Sequence, residues 1–106
     1  MTEVRHLPER FIFAIIVDEE MAGYTEYRMG PGVRSFMHTI IDDKFRGQGL
    51  ASTLVKQALD ETRAEGLLVE PYCPFTLRYI KEHLEYLDLV PEDRREDFGL
   101  PARASS

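Results

Sequence analysis

Residues 36–66 contain a predicted strand, a glycine turn and a predicted helix, and the rest of the prediction is organised around this stretch. Residues 36–41 alternate and are rich in β-branched side chains, which predicts a half-buried strand. Residues 50–65 have apolar side chains at helical spacing, and Gly66 is a natural residue to end that helix. The turn between them contains two glycines and no acidic side chain. A turn that opens a helix in this way leaves backbone N–H groups unpaired at the positive end of the helix dipole, so it predicts a phosphate or pyrophosphate site.

The residues before this unit predict a three-stranded antiparallel meander. The strands are predicted at 11–17, 21–29 and 33–41, with short polar or Gly-Pro turns between them. Residues 1–10 predict either an irregular lead-in or a short edge strand. After the helix, residues 67–72 predict a strand that lies parallel to 33–41, because a helical crossover connects the two. Pro71 cannot donate to a strand ladder, so the end of this strand is expected at an edge or a split.

The C-terminal third predicts one more helix and then a tail. Cys73-Pro74 places a proline at the first helical position, and the helix is expected to end before Pro91. Residues 92–106 contain charges, glycine, proline and small side chains, which predicts a tail with one turn of helix at most. We therefore expect one domain over residues 1–90 and a C-terminal tail over residues 91–106.

Length, charge and cysteine content narrow the class of protein. A chain of 106 residues predicts a single domain. The net charge of −6 argues against nucleic acid as a general partner, because binding many phosphates needs a basic field. A single cysteine excludes an internal disulfide and favours a cytoplasmic location. The longest apolar run, residues 11–17, is too short to cross a bilayer, so no membrane partner is expected.

The glycine turn carries a family resemblance. Arg46, Gly49 and Ala51 match the signature Q/R-x-x-G-x-G/A of the pyrophosphate loop in the GNAT superfamily of acetyl-coenzyme A-dependent acyltransferases. The predicted order of elements also resembles that superfamily over about residues 10–90. The wider string is similar to a minimal subgroup of core-domain size: His38-Thr39, Phe45-Arg46-Gly47-Gln48-Gly49-Leu50-Ala51, Cys73 and Tyr79-Ile80-Lys81.

The resemblance implies an α/β (α+β) fold with a mixed, mostly antiparallel sheet, two main helices and a splay where acetyl-coenzyme A binds. Backbone groups of Ile40 and Ile41 would bind the pantetheine arm. The pyrophosphate would be held by a set of loop residues: Arg46, Gly47, Gln48, Gly49, Leu50, Ala51 and Ser52. No metal is implied. Two departures concern the acceptor: no counterparts are predicted for the N-terminal helices and the last two strands of many relatives.

Two residues are candidates for chemistry at the thioester. Cys73 lies at a helix N-terminus, where a thiol can gain thiolate character and accept an acetyl group; alternatively it is a small buried hydrophobe. Relatives often use a tyrosine on this helix to protonate the leaving thiolate, which the resemblance implies for Tyr79; alternatively Tyr79 is a packing aromatic. His38 is either an acceptor-side base or a structural histidine, and Asp42 and Asp43 favour turn or capping roles.

Other interpretations of the glycine turn have less support in the sequence. Gly47-Gln48-Gly49-Leu50-Ala51-Ser52 nearly fits the dinucleotide fingerprint, but Ser52 replaces the third glycine and the preceding strands form a meander. The leading prediction is therefore transfer of an acetyl group from acetyl-coenzyme A to an amine of a small molecule or a protein. The alternatives are a non-catalytic acyl-coenzyme A sensor or carrier and an interaction domain without cofactor. The sequence leaves open whether the protein is a monomer or a homodimer.

Overall fold

The computed structural model describes residues 1–103 and folds them into one five-stranded sheet with two helices on one face. The strands are β1 (Thr2–Leu7), β2 (Ile12–Val17), β3 (Glu20–Gly30), β4 (Val33–Ile41) and β5 (Leu68–Pro71), and the helices are α1 (Leu50–Ala64) and α2 (Pro74–Glu82). The strand order follows the sequence. The first three pairings are antiparallel and the pairing of β4 with β5 is parallel. The predicted mixed, mostly antiparallel sheet is confirmed, and β1 is the edge strand considered for residues 1–10.

The two parallel strands separate part-way along their length. Their ladder runs from Val33 opposite Leu68 to Phe36 opposite Pro71, and the Cys73 N–H donates the next hydrogen bond to the Phe36 carbonyl, at 2.8 Å. Beyond this point β4 continues without β5 and stays paired only with β3. An extra residue in β4, Met37, forms a bulge against β3 just where the two strands part. The split expected from Pro71 therefore lies at the end of β5.

Alternation along the central strands determines which face of the sheet carries the helices. Phe13 and Ile15 of β2 belong to the main core with the buried side of α1. Their neighbours Ile12, Ala14 and Ile16 belong to a second, smaller cluster with Leu7 and Tyr24, so that cluster lies on the opposite face. With 15 and 9 residues, α1 and α2 cover one face only. No helix within residues 1–103 has both the length and the apolar content to cross a membrane.

The second helix is shorter than the sequence predicted. It ends at Glu82 because His83 leaves helical geometry, with φ −137° and ψ 78°, and the chain continues as a 3₁₀ helix over Leu84–Leu89. This 3₁₀ segment still buries Leu87 and Leu89 in the main core. The apolar spacing therefore indicated the buried residues correctly, but it did not distinguish one continuous helix from two segments.

Residues 91–103 pack on the domain, which differs from the tail that we expected. Two 3₁₀ turns, Glu92–Arg94 and Glu96–Phe98, lead to Leu100, which is buried in the main core. The Arg94 guanidinium donates to the Glu70 carboxylate at 2.6 Å, so this segment reaches the edge strand β5. Covering an edge strand protects its unpaired backbone groups. The domain boundary at residue 90 stays a prediction, while residues 104–106 lie outside the described part of the chain.

Candidate active site

The loop between β4 and α1 is shaped by one capping aspartate and two glycines. The Asp42 carboxylate accepts a hydrogen bond from the Lys44 N–H at 3.0 Å and so caps the 3₁₀ turn Asp43–Phe45, which confirms the capping role expected there. Gly47 and Gly49 follow with φ values of +81° and +71°, a left-handed conformation that side chains rarely adopt. Gly49 is the N-cap residue of α1. The loop conformation therefore depends on glycine at both positions.

The loop presents backbone donors to open space. The N–H groups of residues 47–52 make no hydrogen bond to another group within residues 1–103, and the first turn of α1 carries no acidic side chain. A Cβ atom built on Gly47 or Gly49 would meet nothing within 4 Å. Converging free N–H groups at the positive end of a helix suit an anion, and the glycines leave room for its close approach. The residues present fit the pyrophosphate of coenzyme A.

A cavity of about 530 Å³ adjoins this loop. Its lining includes the predicted residues Ile40, Ile41, Arg46, Gly47, Gly49, Leu50, Ala51 and Ser52, but not Gln48. Three lining residues were not among those predicted to bind the cofactor: Thr39, Phe45 and Phe75. Phe75 is half exposed at the start of α2, and only the packing of α2 beside the loop brings it there. Apolar walls with a few polar groups are typical of cofactor sites.

Hydrogen bonding along β4 distinguishes the two strand residues that we predicted to bind the pantetheine arm. The Asp42 N–H donates to the Ala22 carbonyl of β3 at 2.8 Å, and Gly23 lies directly opposite Ile41. Because successive residues in a strand direct their backbone groups to opposite sides, those of Ile40 point towards β3 and those of Ile41 point into the split. Among residues 1–103 the Ile41 N–H therefore has no partner and faces the cavity, and the backbone of Thr39 points in the same direction.

The side chain of Arg46 lies at the rim of the cavity. It is three-quarters exposed and forms an ion pair with Asp43 at 2.9 Å. An exposed pair of this kind contributes little to stability, so Arg46 can exchange Asp43 for a phosphate at small cost. The loop thus combines backbone donors with the exposed guanidinium of Arg46.

Cys73 is fully buried at the N-cap of α2. Its Sγ lies 3.2 Å from the Thr39 Oγ1, and the Thr39 hydroxyl donates to the Thr25 Oγ1 at 2.9 Å. Because Thr39 donates to Thr25, its oxygen is left as the acceptor for the Cys73 S–H. The thiol lies at the point where β4 and β5 separate, and it has no exposed surface.

Tyr79 lines a smaller groove of about 220 Å³ between α1 and α2. This groove shares Ala51, Ser52 and Phe75 with the larger cavity, so the two adjoin. The Tyr79 ring stacks on His83 with centroids 4.0 Å apart, and burial raises the pKa of its phenol. A phenol that keeps its proton at neutral pH is suited to donate it. Tyr86 instead packs in the core, where its hydroxyl donates to Asp60 at 2.6 Å.

Two further groups contain a histidine beside carboxylates. His38 lies on the face opposite the helices, with its Nε2 3.2 Å from the Glu26 carboxylate. His6, Glu61 and Glu65 form a set of metal-ligand type at the other end of α1, where β1 brings the histidine to the helix. The buried Arg34 binds both carboxylate oxygens of Glu65. That set is therefore an ion-pair network, remote from the cavity.

Comparison with known proteins agrees with this geometry. Residues 12–89 match the sequence model of a family described as GCN5-related N-acetyl-transferase. The chain belongs to this family. The matched range includes β2 to β5, both helices and the whole glycine loop. The GNAT membership implied by Arg46, Gly49 and Ala51 is therefore confirmed.

Individual relatives of this GNAT protein share about a quarter to a third of its residues over the matched stretches. The chain is 34% identical to Protein NATD1 of chicken (Gallus gallus), mouse (Mus musculus) and human (Homo sapiens). The matched stretch is 55 residues long and covers 52% of this chain. It spans about half the length of these curated relatives. A GCN5-like protein of Staphylococcus aureus, solved by NMR, superposes with a TM-score of 0.64 at 23% identity, over 84% of this chain and 87% of that one. At this identity the superposition shows the common fold.

Proposed function

We propose that this GNAT protein transfers an acetyl group from acetyl-coenzyme A to an amine of a small molecule or a protein. The observation that carries the proposal is the loop at the start of α1. Its backbone N–H groups are free, its two glycines leave open space, and it borders a 530 Å³ cavity at the split between β4 and β5. The cytoplasmic location and the choice between monomer and homodimer stay predictions.

The residues have separate tasks in this proposal. The amides of residues 47–52 bind the pyrophosphate, with Arg46 and Ser52 as further contacts. The free N–H of Ile41 binds the pantetheine arm, and Phe45 and Phe75 supply apolar walls. When bound, acetyl-coenzyme A supplies a thioester whose carbonyl carbon accepts the amine. The neighbouring N–H of Thr39 stabilises the negative charge that develops on the carbonyl oxygen, a contribution that needs no reorganisation of the site.

Tyr79 and Cys73 differ in whether they can take part in the reaction. Tyr79 holds its proton and lines the groove that adjoins the cavity, so it suits protonation of the leaving thiolate. Cys73 has no exposed surface, and its S–H is taken up by the Thr39 hydroxyl. We therefore propose direct attack of the amine on the thioester. In this proposal Cys73 has a structural role, since its thiol contacts the hydroxyl of Thr39, which lines the cavity.

One observation favours a second function. Within residues 1–103 both helices lie on the same face of the sheet, and no helix covers the other face. In many relatives, additional helices shape the acceptor site. A protein without them could bind acetyl-coenzyme A as a sensor or carrier without transferring the acetyl group.

Mass spectrometry of the purified protein with acetyl-coenzyme A tests the binding step. We expect a native adduct of coenzyme A mass, because the loop and cavity are already formed in the free protein. Acetylation of an added amine would then support the transferase, whereas binding without transfer would support the carrier. Absence of an adduct would overturn both functions.

A Cys73→Ser variant tests the covalent route. We expect most of the transferase activity to remain, because the serine hydroxyl can keep the contact with Thr39 and direct attack does not use the thiol. After incubation with acetyl-coenzyme A, the denatured wild-type protein should have the mass of the unmodified chain, because direct attack leaves no acetyl group on the protein. An acetyl group that survives denaturation on Cys73, together with an inactive variant, would contradict this prediction and establish an acetyl-enzyme.

A further inference from the structure

The first strand is an open edge of the sheet. β1 pairs with β2 alone, whereas β5 at the opposite edge is covered by the C-terminal segment. The Asp18 N–H donates to the Met1 carbonyl at 2.9 Å, so the odd-numbered residues of β1 direct their backbone groups towards β2. The N–H and C=O groups of Thr2, Val4 and His6 therefore point away from the sheet. They make no hydrogen bond within residues 1–103.

This edge lacks most of the features that keep edge strands from pairing with another chain. Such features are a very short strand, a proline, a β-bulge or a covering segment. β1 has six residues, contains neither proline nor glycine, and pairs with β2 without a shift of register. A regular edge of this length is a template for a further antiparallel strand.

The charges on β1 complement each other in one arrangement of two copies. Glu3 and Arg5 project from the face without helices, are about half exposed at 50% and 55%, and lie 2.6 Å apart. Two copies of one edge strand that are related by a two-fold axis pair antiparallel. With the axis at Val4, Glu3 lies opposite the partner's Arg5, and Arg5 lies opposite the partner's Glu3. Opposite charges directly across two strands stabilise the pairing.

Neighbouring registers lack this complementarity. An axis at Glu3 would place the two Glu3 carboxylates opposite each other, and an axis at Arg5 would do the same for two guanidinium groups. Like charges in directly opposite positions destabilise a strand pair. An axis closer to either end of β1 would shorten the ladder. The charges and the length of the strand therefore favour the axis at Val4.

We propose that β1 is a homodimer interface in which two copies of this chain pair their first strands antiparallel about Val4. Val4 pairs with the partner's Val4, and Thr2 pairs with the partner's His6 on both sides of the axis. These pairs exchange about six backbone hydrogen bonds and join the two sheets into one. The contact is small, so we expect a dissociation constant on the order of 10 µM. The inference does not depend on acetyl transfer, since the cofactor cavity lies at the other side of each sheet.

Charge exchange on β1 tests the interface and its register by sedimentation equilibrium. Glu3→Arg and Arg5→Glu each place like charges opposite each other twice, so each should raise the dissociation constant about 30-fold. The double variant with both substitutions should dimerise as the wild-type protein does. An equimolar mixture of the two single variants should form a heterodimer, because the basic strand of one then faces the acidic strand of the other.

The matched control is Lys56→Glu, which changes the net charge as Arg5→Glu does and also removes an exposed ion pair, with Asp60 on α1. It should keep the wild-type dissociation constant, because α1 contributes no residue to the proposed strand pair.

Amide hydrogen exchange provides a test without substitutions. The N–H groups of Val4 and His6 should exchange several times more slowly at about 1 mM protein than at about 10 µM, because only the dimer protects them. The N–H groups of Glu3 and Arg5 already face β2 and should depend much less on concentration.

Two results would overturn the proposal. A wild-type protein that stays monomeric up to about 500 µM would exclude the homodimer and leave the edge open to a strand of a different protein. A dimer that both single variants form with the wild-type dissociation constant would place the interface outside β1.

Discussion

A Gly49→Val variant is expected to bind coenzyme A about 100-fold more weakly than the wild-type protein, or ~2.7 kcal/mol. Gly49 has φ +71°, and the space beside it is open. A β-branched side chain there disfavours the left-handed conformation and fills the space that the pyrophosphate needs. Losing one or two charge-assisted amide hydrogen bonds accounts for an effect of this size. Calorimetric titration with coenzyme A measures it.

The chain offers a closely matched control. Gly32, in the turn between β3 and β4, has the same φ of +71° and equally open surroundings. A valine at either position should lower the free energy of unfolding by ~1–2 kcal/mol. In the Gly32→Val variant, however, the affinity for coenzyme A should stay at the wild-type value. If both variants bind coenzyme A as the wild-type protein does, the loop is not the pyrophosphate site.

A Glu65→Ala variant is expected to lower the free energy of unfolding by about 3 kcal/mol. Arg34 of β4 is 2% exposed and lies against the Phe13 and Tyr27 rings. Its guanidinium donates to both Glu65 oxygens at 3.1 Å and to the Thr62 hydroxyl at 2.9 Å. Removing the carboxylate leaves a buried cation without its counter-ion. Urea denaturation measures the change.

The matched control is Glu61→Ala, one turn earlier on the same face of α1, where the carboxylate pairs with His6 rather than with Arg34. It should cost less than ~1 kcal/mol. Replacing both members, as in Arg34→Leu with Glu65→Leu, should be less damaging than Glu65→Ala, because no buried charge remains. An equal loss in Glu61→Ala and Glu65→Ala would contradict the role assigned to Arg34.

The same pair contributes to the pH dependence of stability. The hydrogen bond from Arg34 lowers the pKa of Glu65 below its ordinary value of 4.5. A carboxyl whose pKa is lower in the folded state stabilises the fold above the unfolded pKa, and that contribution is lost as the pH falls through the folded value. The wild-type protein should therefore lose stability below about pH 4.5, and Glu65→Ala should lose less over this range.

The local pattern of the sequence predicted most of the elements. β4 has the bounds expected from the alternation of residues 33–41, and α1 ends one residue before the expected position. The glycine loop was also predicted, because Gly47 and Gly49 report a backbone conformation that few other residues adopt. Helix α2 was predicted too long, because apolar spacing is nearly the same for an α-helix and for a 3₁₀ helix that packs against the same core.

By itself, the sequence determined the order of elements, the parallel crossover and the loop with free N–H groups, since each depends on residues that are neighbours in the chain. Only the tertiary structure decided which distant residues meet. It buried Cys73 beneath Thr39, brought Phe75 to the cavity, packed Leu100 into the core and paired His38 with Glu26. Such contacts depend on strand register and helix packing, which involve side chains far apart in the sequence and leave no periodic signal in it.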